Sequence, residues 1–397
     1  MPKYDVRDVA RKLSNMYNIP LVLGSATPDV RTYYKAINND IKLLNLKSRI
    51  SMHGMPEISI IDMREELASG NKTPFSRKLY YAIKENIKNG EQTMLFLNRR
   101  GYSTFIMCRD CGYVVKCNDC DVSMTYHLTE NRLICHYCGK SMEIPVICPE
   151  CQSKKIKYFG SGTQKIEQEL KKYLPEAKVI RMDVDTTRGK NAHEIILNRF
   201  RNEKIDILLG TQMIAKGHDF ENVTLVGVLA ADSSINIGDY KASERTYQLL
   251  TQVSGRAGRG DKKGKAIIQT YVPDEFSILA AKQQNYEKFY ETEIIMREKL
   301  NYPPFCDIIV AVLSGKDENI VKTAATKFYD MLKEDFEIYA PMPAPISKIN
   351  GDYRWRLLAK ECLTDEKNKL LSGYINKFLR EKLDVKLSVD VNPCNMM

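Results

Sequence analysis

Apolar residues recur at Leu79, Ile83 and Ile87 within residues 77–89, the spacing of a helix with one buried face. Residues 92–97 follow as an apolar run and predict a strand. The alternation resumes after residue 160 with helix 163–174, strand 177–182, helix 192–201 and strand 205–209. Strand 223–230, nearly all apolar and so buried on both faces, precedes helix 243–253 and strand 265–271. Strands and helices in this order build a parallel sheet covered on both sides, an α/β lobe. Residues 274–300 read as helical and charged, ending at Asn301-Tyr-Pro-Pro304. The last third gives strand 307–313, helix 318–332, strands 346–349 and 353–361, helix 365–382 and strand 385–391, with the hairpin turn Asn350-Gly351 between the middle strands. That β-α-β-β-α-β order predicts a ferredoxin-like α+β module. Its third strand would turn Trp355 into the core, with Tyr353 and Leu357, and leave Arg354 and Arg356 in solvent.

Cysteines interrupt the α/β alternation. Cys108, Cys111, Cys117, Cys120, Cys135, Cys138, Cys148 and Cys151 form four C-x-x-C pairs, whereas Cys306, Cys362 and Cys394 are scattered. In a reducing compartment such pairs read as metal ligands and not disulfides. One tight turn offers two sulfurs to one ion, and two turns close a tetrahedral Cys₄ site with no open position for water, the structural kind. Four pairs imply two Zn²⁺ ions, and they can be joined two by two in three ways. Strands at 123–127 and 132–134, turning at Thr129, Glu130 and Asn131, would make a ribbon hairpin between the inner pairs. On that reading Cys117, Cys120, Cys135 and Cys138 share one ion, while Cys108, Cys111, Cys148 and Cys151 clamp the base of the insert with the other. His127 and His136 are the alternative ligands.

Composition adds limits. The 397 residues carry a formal charge of +10 and are 43% hydrophobic, values of a globular chain of two or three domains with a mild preference for polyanions. No apolar run approaches the roughly 18 residues of a membrane span, and the opening MPKYDVRDVARKL has no secretory core. A cytoplasmic protein without a membrane partner is expected.

Candidate chemistry is expected at the carboxyl ends of the strands, where open α/β sheets place ligands. Residues 210–219, GTQMIAKGHD, follow one strand directly, and residues 252–260, QVSGRAGRG, end a helix with two arginines three apart. A guanidinium fork suits a transferring phosphoryl group, binding its oxygens as charge develops. Asp232 and Asp239 are either cleft acids or capping residues.

These segments resemble known motifs. QVSGRAGRG resembles the sixth signature of superfamily 2 helicases, GTQMIAKGHDF the fifth, and LGSATP at 23–28 the third. LFLNRRGYS at 95–103, followed by cysteines at this spacing, is similar to the primosomal protein N′ family of replication-restart helicases, over essentially the whole chain. The resemblance implies a RecA-like second helicase lobe at 46–107 and 153–273, a binuclear zinc ribbon inserted at 108–152, and a ferredoxin-like domain at 274–397. Residues 1–45 would be a remnant of the first lobe, with an interior strand at 19–23 stripped of its neighbours and poorly anchored. The resemblance further implies an ATP-dependent 3′→5′ DNA helicase acting on forked and single-stranded DNA, with single-stranded-DNA-binding protein and other primosome proteins as partners, some of them at the terminal module. By motif, Arg256 and Arg259 would reach the γ-phosphate with Gln252 assisting. Gly210, Thr211, Gln212, Lys216 and His218, with Ser25 and Thr27, would couple hydrolysis to DNA movement.

One departure limits the analogy. No G-x-x-x-x-G-K-[ST] occurs: Gly139-Lys140-Ser141 has Ile134 where the first glycine should stand, and Asp274-Glu275 leads into Phe276 instead of a helicase acid motif. In the family these elements precede LGSATP, so ATP and Mg²⁺ would bind only together with a first lobe. The alternative reading is a zinc-containing DNA-binding or assembly module without ATPase activity.

Overall fold

The computed structural model describes residues 4–46, 55–97, 105–127, 131–159, 162–183, 186–187, 189, 191–215, 220–259 and 262–396. Lys216, His218, residues 98–103, Thr129, Glu130 and Gly260 lie outside the described residues. Two helices come first, α1 (Val6–Tyr17) and α2 (Val30–Ile37), then β1 (Glu57–Asp62), α3 (Met63–Ala68), α4 (Arg77–Asn89) and β2 (Gln92–Phe96). The insert holds β3 (Phe105–Cys108), β4 (Thr125–His127), β5 (Arg132–Ile134), β6 (Ser141–Met142) and β7 (Ile156–Phe159). The lobe resumes with α5 (Thr163–Tyr173), β8 (Val179–Met182), α6 (Ala192–Asn202) and β9 (Ile207–Gly210), followed by a 3₁₀ turn at Gln212–Ala215. It continues through β10 (Val223–Val228), α7 (Asp232–Ile235), α8 (Ala242–Ser254), β11 (Lys265–Thr270), α9 (Phe276–Gln283) and α10 (Tyr286–Lys299). The terminal module is β12 (Asp307–Gly315), α11 (Glu318–Leu332), β13 (Ile338–Ile349), β14 (Asp352–Glu361), α12 (Asp365–Arg380) and β15 (Lys386–Val391).

Six parallel strands form the main sheet in the order β1-β11-β10-β2-β9-β8. Its central strands are buried along their whole length, as the apolar runs require. One face packs on α4 and α5 through Leu79, Ile83, Ile166 and Leu170. The other packs on α2, α6, α8, α9 and α10 through Val30, Phe200, Tyr247, Ile278 and Phe289. Local chemistry sets the ends of α4: Ser76 accepts the Leu79 N–H at its start, and Gly90 closes it in the left-handed region at φ 68°. Residues 274–300 form two helices, because Gln284 turns left-handed and Asn285 caps α10 by accepting from the Lys288 N–H.

The terminal sheet runs β13-β14-β12-β15, every pair antiparallel, which is the ferredoxin-like order. Its strand β13 begins eight residues earlier than the sequence pattern indicates, at Ile338 and not at 346. Pro341, Pro343 and Pro345 mask it in the sequence; an edge strand tolerates them, and the register shifts there.

Residues 19–23 form no strand, contrary to expectation. A strand is defined by a ladder, and among the described residues nothing pairs with this stretch, so Val22 stays 83% exposed. The rest of the opening segment is better anchored than expected. Val30 is fully buried, its N–H donates to Glu244 Oε1 at 2.9 Å, and Tyr33 packs edge-on against Tyr286 and Tyr290. α1, by contrast, buries none of its residues.

Candidate functional site

All four C-x-x-C turns share one backbone plan. The residue after each second cysteine (Gly112, Asp121, Gly139 or Gln152) has positive φ and donates its N–H to the carbonyl of the first cysteine at 2.9–3.0 Å. The first cysteine's own N–H donates to the next residue on (Tyr113, Val122, Lys140 or Ser153) at 2.8–2.9 Å. Glycine fills two of the four left-handed positions, where it costs least. The turns thereby aim their thiols in pairs. Cys108, Cys111, Cys148 and Cys151 converge on one point, and Cys117, Cys120, Cys135 and Cys138 on another, with all Sγ atoms of a group within 4.8 Å. Sγ···Sγ distances of 3.6 Å (Cys108 to Cys151), 3.6 Å (Cys111 to Cys148) and 3.5 Å (Cys117 to Cys138) approach the ~3.8 Å edge of a tetrahedron with Zn–S bonds of about 2.3 Å. Crowded thiols cannot all ionise without a cation. The Cys120 thiol is pushed up by its bond with Cys135, whose own thiol is held down to about 5 by Cys120. The donor sets therefore fit two structural metal ions and support zinc binding. His127 and His136 belong to neither group; their Nε2 atoms meet each other at 3.1 Å, and burial lowers His136 to about 2.

The motor-like residues sit around α8. Gly210 ends β9 against Met182, and a Cβ there would lie 2.7 Å from the Met182 carbonyl oxygen, so only glycine fits. Thr211 is buried behind it, and Gln212 opens the 3₁₀ turn that packs on α8. Gln252 is exposed on the last turn of α8, Arg256 is half-buried just beyond it, and Arg259 is exposed with its Nε donating to the Gly255 carbonyl at 3.0 Å. The arginine turn does not stand at the carboxyl ends of the strands as expected. Gly258 N–H donates to the carbonyl of Val223, the first residue of β10, because a helix that crosses back over a parallel sheet delivers the chain to the next strand's amino end. Gly258 has φ +69°, and a Cβ on it would meet Gly264 N at 2.3 Å, which explains a glycine between the arginines. Ser25 and Thr27 approach the same helix: Ser25 Oγ accepts from the Thr27 N–H at 3.0 Å, and Gln248 Nε2 donates to the Thr27 carbonyl at 3.4 Å. Glu244, Gln248 and Gln252 follow one another at intervals of four on one helix face.

Asp239 is a clamp and not a cleft acid, taking Arg245 Nη1 at 2.8 Å and the Lys241 N–H at 3.0 Å. Asp232 does face the carboxyl edge. Its Oδ1 accepts from Thr270 Oγ1 and the Tyr271 N–H, both at 2.9 Å, and burial pushes its carboxyl up to about 6.

The insert is docked into both neighbours. Tyr137, between two cysteines of the second group, is fully buried, and its hydroxyl accepts the Tyr240 N–H at 3.0 Å just before α8. Tyr302 stacks on Tyr240 at 5.0 Å and donates its hydroxyl to the Cys120 carbonyl at 3.0 Å. Arg356 is 1% exposed and faces this junction, which corrects its placement in solvent. Alternation along β14 was legible; that the face opposite Trp355 meets a second module was not. The residue after each second cysteine, Gly112, Asp121, Gly139 or Gln152, is a signal in the sequence for the left-handed position that closes these turns.

Comparison with known families matches residues 298–394 to the primosomal protein N C-terminal domain, 117–142 to the PriA DNA helicase Cys-rich region domain, and 142–261 to the helicase conserved C-terminal domain. The replication restart protein PriA of Bacillus subtilis is 48% identical over 100% of this chain and 50% of its own length. That of Synechocystis is 44% identical over 90% of this chain and 45% of its own. Among solved structures, Saccharomyces cerevisiae Dbp5 bound to RNA and ADP BeF3 covers 73% of this chain and 58% of its own at 16% identity and a TM-score of 0.33, too low to bear on the fold. The chain thus spans about half the length of these curated relatives. With all three domain types in order and this identity end to end, the chain belongs to the family of the replication restart protein PriA.

Proposed function

We propose that this chain supplies the second motor lobe, zinc insert and terminal domain of an ATP-dependent 3′→5′ DNA helicase of replication restart, working only when a phosphate-binding lobe is joined to it. The observation that carries the reading is the convergence of three motif segments on α8: Thr27 at Gln248, the 3₁₀ turn of Gln212 along its side, and the arginine turn at its end. In this reading Arg256 and Arg259, assisted by Gln252, stabilise charge developing on the γ-phosphate of an ATP·Mg²⁺ held by the other lobe. Ser25, Thr27, Gly210, Thr211, Gln212 and Lys216 relay the state of that cleft to DNA. The two Cys₄ groups hold Zn²⁺ as structural ions, and forked and single-stranded DNA, single-stranded-DNA-binding protein and primosome proteins are the partners. No helix among the described residues is long and apolar enough to cross a membrane.

The test is complementation. The chain alone should show no DNA-stimulated ATP hydrolysis. Mixing it with the amino-terminal half of the Bacillus subtilis relative should restore hydrolysis, and Arg256→Ala should lower it by about 10³-fold or more. Fork binding by the chain alone, with no rescue by the added half, would favour the assembly-module reading instead; salt-sensitive affinity would then mark phosphate contacts.

A further inference from the structure

β14 presents two different faces. Leu357 and Ala359 belong to the core under α11 and α12, whereas Leu358 belongs to the cluster built on the insert's cysteines, Cys117, Cys120 and Cys135 together with Cys108 and Cys148. Arg356 and Lys360 flank Leu358 two residues away on either side, so they share its face. Both are buried, at 1% and 8% exposure. Arg356 Nη1 donates to the Met396 carbonyl at 2.6 Å, but its Nε and Nη2 have no hydrogen-bond partner among the described residues. Its cross-strand neighbour Met342 reaches within 3.5 Å of the position a Cβ would take on Gly139, in the last cysteine turn of the second group. Lys360 Nζ donates to the Leu300 carbonyl at 2.9 Å and lies 3.8 Å from the centroid of Tyr302, the ring that bonds the Cys120 carbonyl.

Neither cation has a carboxylate ion-pair partner among the described residues. Asp239, which acts on Arg356, is engaged by Arg245 at 2.8 Å, and Glu337, which acts on Lys360, makes no ion pair with it. A buried cation without an ion-pair partner is strongly disfavoured. Two of them on one strand face need an anion, and the face they share meets four cysteines. Four thiolates around one Zn²⁺ carry a net charge of about −2. Two cations would offset it. Burial pulls Arg356 down to about 10, while Tyr137 and Cys135 push the other way, in keeping with anionic sulfur close by.

We propose that Arg356 and Lys360 are the counter-charges of the Cys117, Cys120, Cys135 and Cys138 site, positioning residues lent by the terminal domain to hold the insert's second metal. Of the eight ligand cysteines, Arg356 acts on Cys135 and Lys360 on Cys120, both of this group, so Cys108, Cys111, Cys148 and Cys151 serve as an internal control. The inference rests on the zinc reading above.

The experiment is a zinc-release titration of the full chain with a chromophoric chelator, on the unsubstituted protein, Arg356→Gln, Arg356→Lys and Lys360→Gln. The unsubstituted chain should release two zinc ions; fewer than two would overturn the zinc reading and this inference with it. Arg356→Gln should release one ion at about 10–100-fold lower chelator, the range for losing a group that supports a metal ligand. The other ion should leave where it does in the unsubstituted protein. Arg356→Lys, which keeps the charge and loses the fork, should lie between the two, and Lys360→Gln should weaken the same ion. Circular dichroism checks that each variant is folded, and Lys360→Gln stands in should Arg356→Gln fail. Two ions held as tightly in folded Gln variants as in the parent, or both ions loosened equally, would refute the assignment.

Discussion

Arg297 ties together the face of the lobe on which the motifs converge, so its loss makes a demanding test. The guanidinium is 2% exposed, with Nη2 2.7 Å from Glu244, Nε 2.8 Å from Glu293 and Nη1 3.1 Å from the Pro303 carbonyl. Glu244 in turn accepts the Val30 N–H that seats α2. Replacing Arg297 by Met keeps an apolar stem of similar reach and strands two buried carboxylates. Removing one partner of a buried ion pair costs about 3–5 kcal/mol. The deficit must depend on pH. Burial already raises Glu293 with its partner present, and without Arg297 that carboxyl should titrate still further above its unfolded value of about 4.3. A folded-state pKa above the unfolded one gives stability that is intact below the unfolded pKa and lost as pH rises through the folded pKa. Urea unfolding followed by circular dichroism should therefore show a deficit of about 3–5 kcal/mol at pH 8 that narrows toward pH 5. Limited proteolysis should also release the segment before Val30 more readily. A deficit below about 1 kcal/mol, or one equal at both pH values, would show that the triad is not the buried charge cluster argued here.

Two further outcomes follow from local geometry. Burial raises Asp232 from 3.8 to about 6, so its ionised form costs on the order of 3 kcal/mol at pH 8 and nothing below pH 3.8; Asp232→Asn, which keeps the acceptor for Thr270 and Tyr271, should raise the melting temperature at pH 8 but not at pH 4, and no gain at pH 8 would contradict the burial argument. Gly258→Ala should cost clearly more than the about 1–2 kcal/mol of a left-handed alanine, because its Cβ also meets Gly264 at 2.3 Å, whereas Gly70→Ala, at φ +86° with nothing within 4 Å, should cost only that strain; equal losses in thermal melts would mean that the turn can open.

Sequence periodicity located most of the α/β lobe because its strands are buried on both faces and its helices carry one apolar stripe. Helix 77–89 and the hairpin strand 132–134 coincide with α4 and β5. β1 escaped notice, since Glu57, Ser59 and Asp62 break up its apolar residues and only its pairing with β11 makes it a strand. The cysteine groups were legible because two-residue spacing is itself a geometric constraint. Arg356 was not, because alternation says which residues share a face but not what that face meets. The arginine turn was misplaced for a similar reason: a motif's position in the chain gives its element, and only the direction of the crossover gives the edge of the sheet.

That edge matters to how the insert and the motor segments are related. The second cysteine group holds Tyr137, Tyr137 holds the Tyr240 N–H, and α8 begins two residues later and runs 13 residues to the arginine turn, about 20 Å. Asp239, beside Tyr240, also accepts from the Met396 N–H at 3.4 Å, so the chain's last described residue braces the same helix start. A helix of that length packed along one sheet face behaves as a rod, and whatever fixes its start also limits where its end can go. If the proposed function holds, metal in the second site would need no contact with nucleotide to affect hydrolysis. Its leverage would run through one helix, which leads from the Tyr137 contact to the turn that carries Arg256.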